Sequence, residues 1–222
     1  RPVGMAGCGQ ALGVPALLAH PAELTSVAVM PGRVCEVDAA AVTRRGLVTA
    51  DFLTELAREQ MQAHARLANV HTPVLHTHDR FGRRVDTVEF HPSYHALMGA
   101  AVAAGLHGTP WGQPPGPATS PHVQRAAGFM LFTEAEPSVL CPVSMSYAVT
   151  PALRGNSAVW ADWSPGLAST QYDPRLALFS QKSALTMGMG MTEKQGGSDV
   201  RANTTQAVPD GDDAWGARYR IT

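Results

Sequence analysis

Apolar positions recur along this chain first with a helical spacing and, near its end, with a spacing of two. In TADFLTELAREQMQAHARLANV, residues 49–70, Phe52, Leu53, Leu56, Gln60, Ala63 and Leu67 fall at helical intervals. The pattern predicts one amphipathic helix with Thr49 or Asp51 as its N-cap. HTPVLHTHDRFGRRVDTVEFHP reads as connecting text, with a turn at Gly82 and a short alternating run from Val85 to Phe90. SYHALMGAAVAAGLHG is dominated by Ala, Leu and Met between Pro92 and Gly108, which predicts a buried helix. TPWGQPPGPATSP is a Pro/Gly-rich loop, and Ser120-Pro121 supplies an N-cap and a first-turn proline for the helix of HVQRAAGFMLFTEAE. PSVLCPVSMSYAVTPALRG predicts a further helix with Pro142 in its first turn. WADWSPGLASTQYDPRLAL is turn-rich, with room for a short helix.

After about Lys182 the grammar changes. LTMGMGMTE alternates with period two, as a strand does. Thr204–Val208 and Trp215–Thr222 read as two strands with PDGDD as the hairpin turn between them. The pattern therefore divides the chain into an irregular segment over 1–45, a helical domain over 46–182, and the beginning of a β-domain over 183–222, an α+β arrangement. Tyr219 to Thr222 read as a strand cut short and residue 1 is not Met, so the chain reads as a piece of a longer protein.

Composition narrows the function classes. The 222 residues suffice for one large or two small domains with a real core, and 45% are apolar. A net charge of −1 argues against a protein that coats nucleic acid through overall basicity. Cys8, Cys35 and Cys141 are scattered and odd in number, without a CxxC pair, which fits a reducing cytoplasm. No apolar run approaches the roughly 18 residues of a membrane span, and the Gly- and Pro-broken N-terminus lacks a signal-peptide core.

The segment GMGMTEKQGGSDV, residues 188–200, carries the chemistry. Glycines at 188 and 190 let a flat group approach the backbone closely. Met187, Met189 and Met191 fall on the opposite face, where they are expected to pack in the core. Thr192 offers a hydroxyl and a nearby N–H, the donors that the polar edge of a planar heterocycle needs. GGSD adds a turn with free N–H groups and the Ser198 hydroxyl, suited to phosphates or a thioester arm. On spacing alone, a glycine-rich β-turn with a polar tip is the preferred account of the segment, because short Gly/Ser loops are common.

MTEKQGGSDV also resembles the T-E-x-x-x-G-S-D signature of the acyl-CoA dehydrogenases, through Thr192, Glu193, Gly197, Ser198 and Asp199. Lys194-Gln195-Gly196 makes it most similar to the AidB-like, alkylation-response branch of that family. Further segments agree in order: RLANV (66–70), FHPSYHALM (90–98), LCPVSM (140–145), TPAL (150–153) and YDPRL (172–176). The likeness runs from about residue 50 onward, and residues 1 to about 30 show none.

The resemblance implies an N-terminal helical domain, a middle β-domain and a C-terminal helical bundle that this chain does not include. It implies FAD as cofactor, with Met189, Gly190, Met191, Thr192, Gly197 and Ser198 in the binding set. The family reaction is α,β-dehydrogenation of an acyl-CoA thioester, in which a glutamate takes the α-proton and a hydride leaves for flavin N5. That glutamate belongs to the C-terminal bundle, beyond residue 222, so no catalytic residue is expected in this chain and Glu193 is not nominated. Lys194 stands where the commoner family loop has Pro, which puts ordinary fatty-acyl turnover in doubt. The branch is also linked with double-stranded DNA and protection against alkylation, and the family with homotetramers.

Other clusters carry competing readings. His71, His76, His78, His91 and His95 have spacings that a metal could use, but Asp79 is the one carboxylate nearby, so a polar loop is preferred and no metal is expected. Ser144, Ser146 and Tyr147 lack a G-x-S-x-G elbow. Cys141 reads as a buried small hydrophobe. RFGRR, residues 80–84, is the densest basic patch and reads either as a solvated turn or as a phosphate contact.

Overall fold

The computed structural model describes residues 43–112, 120–213 and 216–222. Most of the irregular segment expected over 1–45, residues 113–119 of the Pro/Gly-rich loop, and Trp215 lie outside the described residues. The chain divides into two compact units between Gly188 and Met189.

In the first unit, helix α1 spans Ala50–Ala57 and α2 spans Glu59–Val70. Thr49 caps α1 by accepting from the N–H of Phe52 at 3.1 Å. The single helix expected here is broken at Arg58, whose ψ of 136° is extended. An unbroken helix would carry Gln60 and Ala63 inward with Leu53 and Leu56. The break resets the phase, so that Met61 is buried and Gln60 and Ala63 are exposed. Burying a thioether in place of an amide stabilises the core, and tertiary packing overrides local helix propensity.

The hairpin β1 (Val74–His78) and β2 (Arg84–Glu89) follows, with Leu75 opposite Val88 and His76 opposite Thr87. The sequence pattern showed the second half of this pair as an alternating run and missed the first. VLHTH has no clean alternation because both faces of β1 are exposed.

Helix α3, Pro92–Ala103, starts with proline at its first position and with the His91 ring accepting from the Ser93 N–H. Leu97, Met98, Ala101 and Val102 are no more than 2% exposed. Helix α4, Pro121–Phe132, has the expected Ser120 cap. Helix α5, Leu140–Val149, holds Pro142 in its first turn, where the missing N–H costs nothing. Helix α6, Ser157–Ala168, is longer than the turn-rich text suggested. The side chain of Asn156 accepts from both Ala158 and Val159, a strong start that carries the helix past Pro165.

The core joins α1 to α5 around Leu53, Leu97, Phe132 and Val143, all at 1% exposure or less. Each such side chain stabilises the fold by about 1.5–3 kcal/mol. The segment that leaves this core remains part of it. Ala184 and Leu185 are buried, the Leu185 N–H donates to the Gly166 carbonyl at 2.9 Å, and the Met187 N–H donates to the buried Ser146 hydroxyl at 2.9 Å.

In the second unit, β3 (Ala207–Asp213) pairs antiparallel with β4 (Gly216–Ile221). PDGDD is not the turn. It lies inside β3, and the register slips between Pro209 and Asp212, with Gly211 at φ +88°. Pro209 has no N–H for a regular ladder, and Gly211 takes the left-handed conformation a bulge uses, so turn-forming residues make a bulge instead. The run LTMGMGMTE also forms no strand. Its regular pairing is missing, and one isolated bridge joins its last residue, Glu193, to Gly196. A period of two favours a strand only where a neighbouring strand supplies the ladder.

Candidate functional site

The site residues expected from the sequence, Met189, Gly190, Met191, Thr192, Gly197 and Ser198, all fall in the second unit, on one extended segment and the turn after it. Among the described residues, the backbone N–H groups of residues 188–192, 197 and 198 have no hydrogen-bond partner. A Cβ built on Gly188 or Gly190 would meet nothing within 4 Å. Within the second unit, Gly190 leaves an open side next to the free donors of 189–192, an arrangement that suits a flat, acceptor-rich ring.

Met189 and Met191 do not pack in a core. They are 42% and 49% exposed, a correction to the expectation from alternation, because the segment has no sheet partner to give it a buried side. Thr192 and Gly197 are brought together. A Cβ at Gly197 would stand 3.1 Å from the Thr192 hydroxyl oxygen and 3.2 Å from its methyl. Ser198 is exposed at the tip, and Asp199 caps the short 3₁₀ turn Val200–Ala202 by accepting from the Arg201 N–H.

Glu193 organises the chain behind the tip. One carboxylate oxygen accepts from the Thr205 N–H at 2.8 Å, and the other from the Thr204 N–H at 2.8 Å. Hydrogen bonds from Thr205, Thr204 and Gln195 pull its pKa down to about 2. The Asn203 side chain donates to the Met191 carbonyl at 2.9 Å, tying the start of the loop to its end. These anchors were not legible in the motif, since their partners lie 11 or 12 residues farther along the chain.

In the first unit, Ser146 is fully buried and structural, with its hydroxyl beside the carbonyls of Pro142 and Met187. Asp173, missed by the sequence reading, accepts from the side chain and N–H of Arg175 and from the N–H of Ser183. The Arg175 bonds chiefly hold its carboxyl well below the usual range. Burial first, then Tyr94 and Asp173, push Tyr172 up to about 12, and its hydroxyl lies 2.9 Å from His95. A groove of about 380 Å³ also opens between α2 and α3, lined by Met61, His64, Gly99 and Ala100.

The histidines separate. His71 stacks on His91, His76 pairs with Glu89 at 2.8 Å, and among the described residues no three His, Cys, Asp or Glu side chains converge. Cys141 is exposed rather than buried, because it sits on the outer side of the first turn of α5, whose inner side is taken by Leu140 and Val143. Arg80, Arg83 and Arg84 are exposed around the β1–β2 turn. The first two lie over the Phe81 ring and Arg84 pairs with Asp86. Among the described residues, no helix is long and apolar enough to cross a membrane.

Residues 37–174 match the family described as the adaptive response protein AidB N-terminal domain. A putative acyl-CoA dehydrogenase, AidB of Escherichia coli (strain K12), is 43% identical over 182 residues, covering 79% of this chain and 32% of its own length. Among solved structures, Bd2924 in its apo-form superposes with a TM-score of 0.63 at 26% identity, over 82% of this chain and 37% of its own. Caenorhabditis elegans ACDH-11 in complex with C11-CoA superposes with a TM-score of 0.59 at 20% identity, over 92% and 36%. The chain thus spans about a third of the length of the relatives it matches.

Proposed function

Since the chain belongs to the AidB N-terminal domain family, among the acyl-CoA dehydrogenase-like proteins, we propose that it is the N-terminal part of an FAD-dependent flavoprotein that oxidises an acyl-CoA thioester. The observation that carries this reading is the row of free backbone N–H groups at 189–192 beside the open face of Gly190. FAD, when bound, supplies the hydride acceptor for α,β-dehydrogenation. The chain's own part is to bind and orient. Gly190, Met191 and Thr192 offer N–H donors to the polar edge of the ring, and the Thr192 hydroxyl adds one more. The exposed Met189 and Met191 side chains offer apolar cover. Gly197 and Ser198 offer donors to phosphate oxygens or to the acyl-CoA arm. The base that takes the α-proton is proposed in the two thirds of the relatives' length that this chain does not span.

The test is the visible absorption spectrum of the purified full-length protein, followed by titration with short acyl-CoAs. A flavin band that bleaches on addition supports the reading, and a protein without flavin overturns it. A second reading is a flavoprotein that binds double-stranded DNA and protects it from alkylation, with little turnover. The exposed Arg80, Arg83 and Arg84 favour it. It requires DNA affinity that falls steeply with salt and a flavin that acyl-CoA does not bleach. The same reading proposes a cytoplasmic homotetramer, which sedimentation of the full-length protein tests.

A further inference from the structure

We infer that Glu193 is a positioning residue: it closes residues 193–205 around its own carboxylate and so fixes where Thr192, Gly197 and Ser198 stand toward the cofactor. This rests on the flavin reading above. An acidic residue inside a proposed flavin loop invites assignment as the base, and its surroundings argue otherwise. Oε1 accepts from the Thr205 N–H at 2.8 Å. Oε2 accepts from the Thr204 N–H at 2.8 Å, the Gln195 side-chain amide, and the Thr204 hydroxyl at 3.3 Å. Four donors face this carboxylate, three at Oε2 and one at Oε1. A general base needs an acceptor turned toward the proton it takes, and a carboxylate with a pKa of about 2 holds a proton weakly.

The closure is reinforced on both sides. The Gly196 N–H donates to the Glu193 carbonyl at 3.2 Å, and the Gln195 amide lies 3.4 Å from the Ala202 carbonyl. Residues 192 and 197 are therefore the two shoulders of a loop whose neck is Glu193. The contact between Gly197 and Thr192 places them side by side. Thr204 and Thr205 are exposed, so water replaces the carboxylate when it is removed. Loss of the clamp then loosens the loop without unfolding the β3–β4 hairpin.

Glu193→Gln keeps the size of the side chain and turns one acceptor into a donor, which cannot accept from Thr204 or Thr205. In the full-length protein, Glu193→Gln and Glu193→Ala are expected to raise the FAD dissociation constant about tenfold. They are expected to blur the fine structure of the flavin visible band and to speed hydrogen exchange at the Thr204 and Thr205 amides. The melting temperature of the cofactor-free protein should stay at the wild-type value. Variants that bind FAD as the wild type does, with the same spectrum, overturn the inference while the flavin reading stands. Unchanged amide exchange at 204 and 205 overturns the clamp directly. A wild-type protein that takes up no FAD overturns the flavin reading and the positioning role with it.

Discussion

Gly108 stands where two buried elements meet, and Gly108→Ala tests how tightly they are locked. The added Cβ would lie 2.6 Å from the Leu167 carbonyl oxygen and 2.8 Å from the Thr150 hydroxyl oxygen. An unstrained contact is about 3.5 Å, so one side has to move by about 0.9 Å. Neither side is free. The end of α6 is held to the same stretch of chain by the His107 ring, 2.8 Å from the Ser169 carbonyl, and by the Thr109 hydroxyl, 3.3 Å from the Ala168 carbonyl. Thr150 is 2% exposed and donates to the Ser146 carbonyl. Overpacking of this kind costs about 1–3 kcal/mol. A weakened buried hydrogen bond adds about 1 kcal/mol, so about 2–4 kcal/mol is expected. For a domain of this size that is a fall in melting temperature of about 5–15 °C, read by circular dichroism. Gly99→Ala is the matched control. Gly99 lies inside α3, where a Cβ would meet only Tyr172, at 3.9 Å, and alanine should stabilise by about 0.5–1 kcal/mol. If the two variants melt together, the argument from close approach fails.

Three further outcomes are expected. Thr192→Val removes one hydrogen bond to the cofactor and should weaken FAD retention by about 1 kcal/mol, or about fivefold, in equilibrium dialysis of the full-length protein; unchanged retention removes Thr192 from the site. Ser120→Ala removes the cap that accepts from His122 and should cost about 1 kcal/mol in denaturant unfolding, whereas Ser120→Asn should cost little. Burial lowers the pKa of His107 from its ordinary 6.5 by more than its bond to the Ser169 carbonyl raises it, and Arg125 adds a smaller lowering. The unfolded chain then takes up the proton more readily, so the stability His107 gives is complete above about pH 6.5 and declines as the pH falls below it. Melting temperatures between pH 7 and pH 5 should therefore drop less in His107→Gln than in the wild type, and equal slopes would assign the acid sensitivity elsewhere.

The features legible in the sequence were local ones. Ser120-Pro121, Pro92 and Thr49 mark helix starts because caps and first-turn prolines act within one turn. The break at Arg58 has no Gly or Pro to announce it, since its cause is the burial of Met61 against distant helices. The alternation at 185–193 failed as a strand for the same kind of reason: pairing needs a neighbour that the segment itself does not encode. PDGDD carried turn chemistry, and the bulge in β3 uses that chemistry. The candidate flavin residues could be nominated because they lie together in one stretch that resembles a family signature. The clamp on Glu193 was not, because Thr204 and Thr205 become its neighbours only after the loop closes.

The bond from Met187 to Ser146 also bears on how such a protein can be inherited in pieces. Ala184, Leu185 and Met187 belong to the helical unit through burial, the Gly166 carbonyl and the Ser146 hydroxyl. A recombination event that joined foreign sequence upstream of Met187 would keep a donor for the fully buried Ser146 hydroxyl only if the new chain followed the same path and placed no proline at 187. It would also strip Leu185 from the tight seat beside Gly166, where its side chain stands 2.7 Å from a built Cβ. An exchange just after Gly188 severs none of these contacts. The helical unit thus carries its own exit segment, and a graft of a different C-terminal partner keeps that segment's contacts when it begins after Gly188.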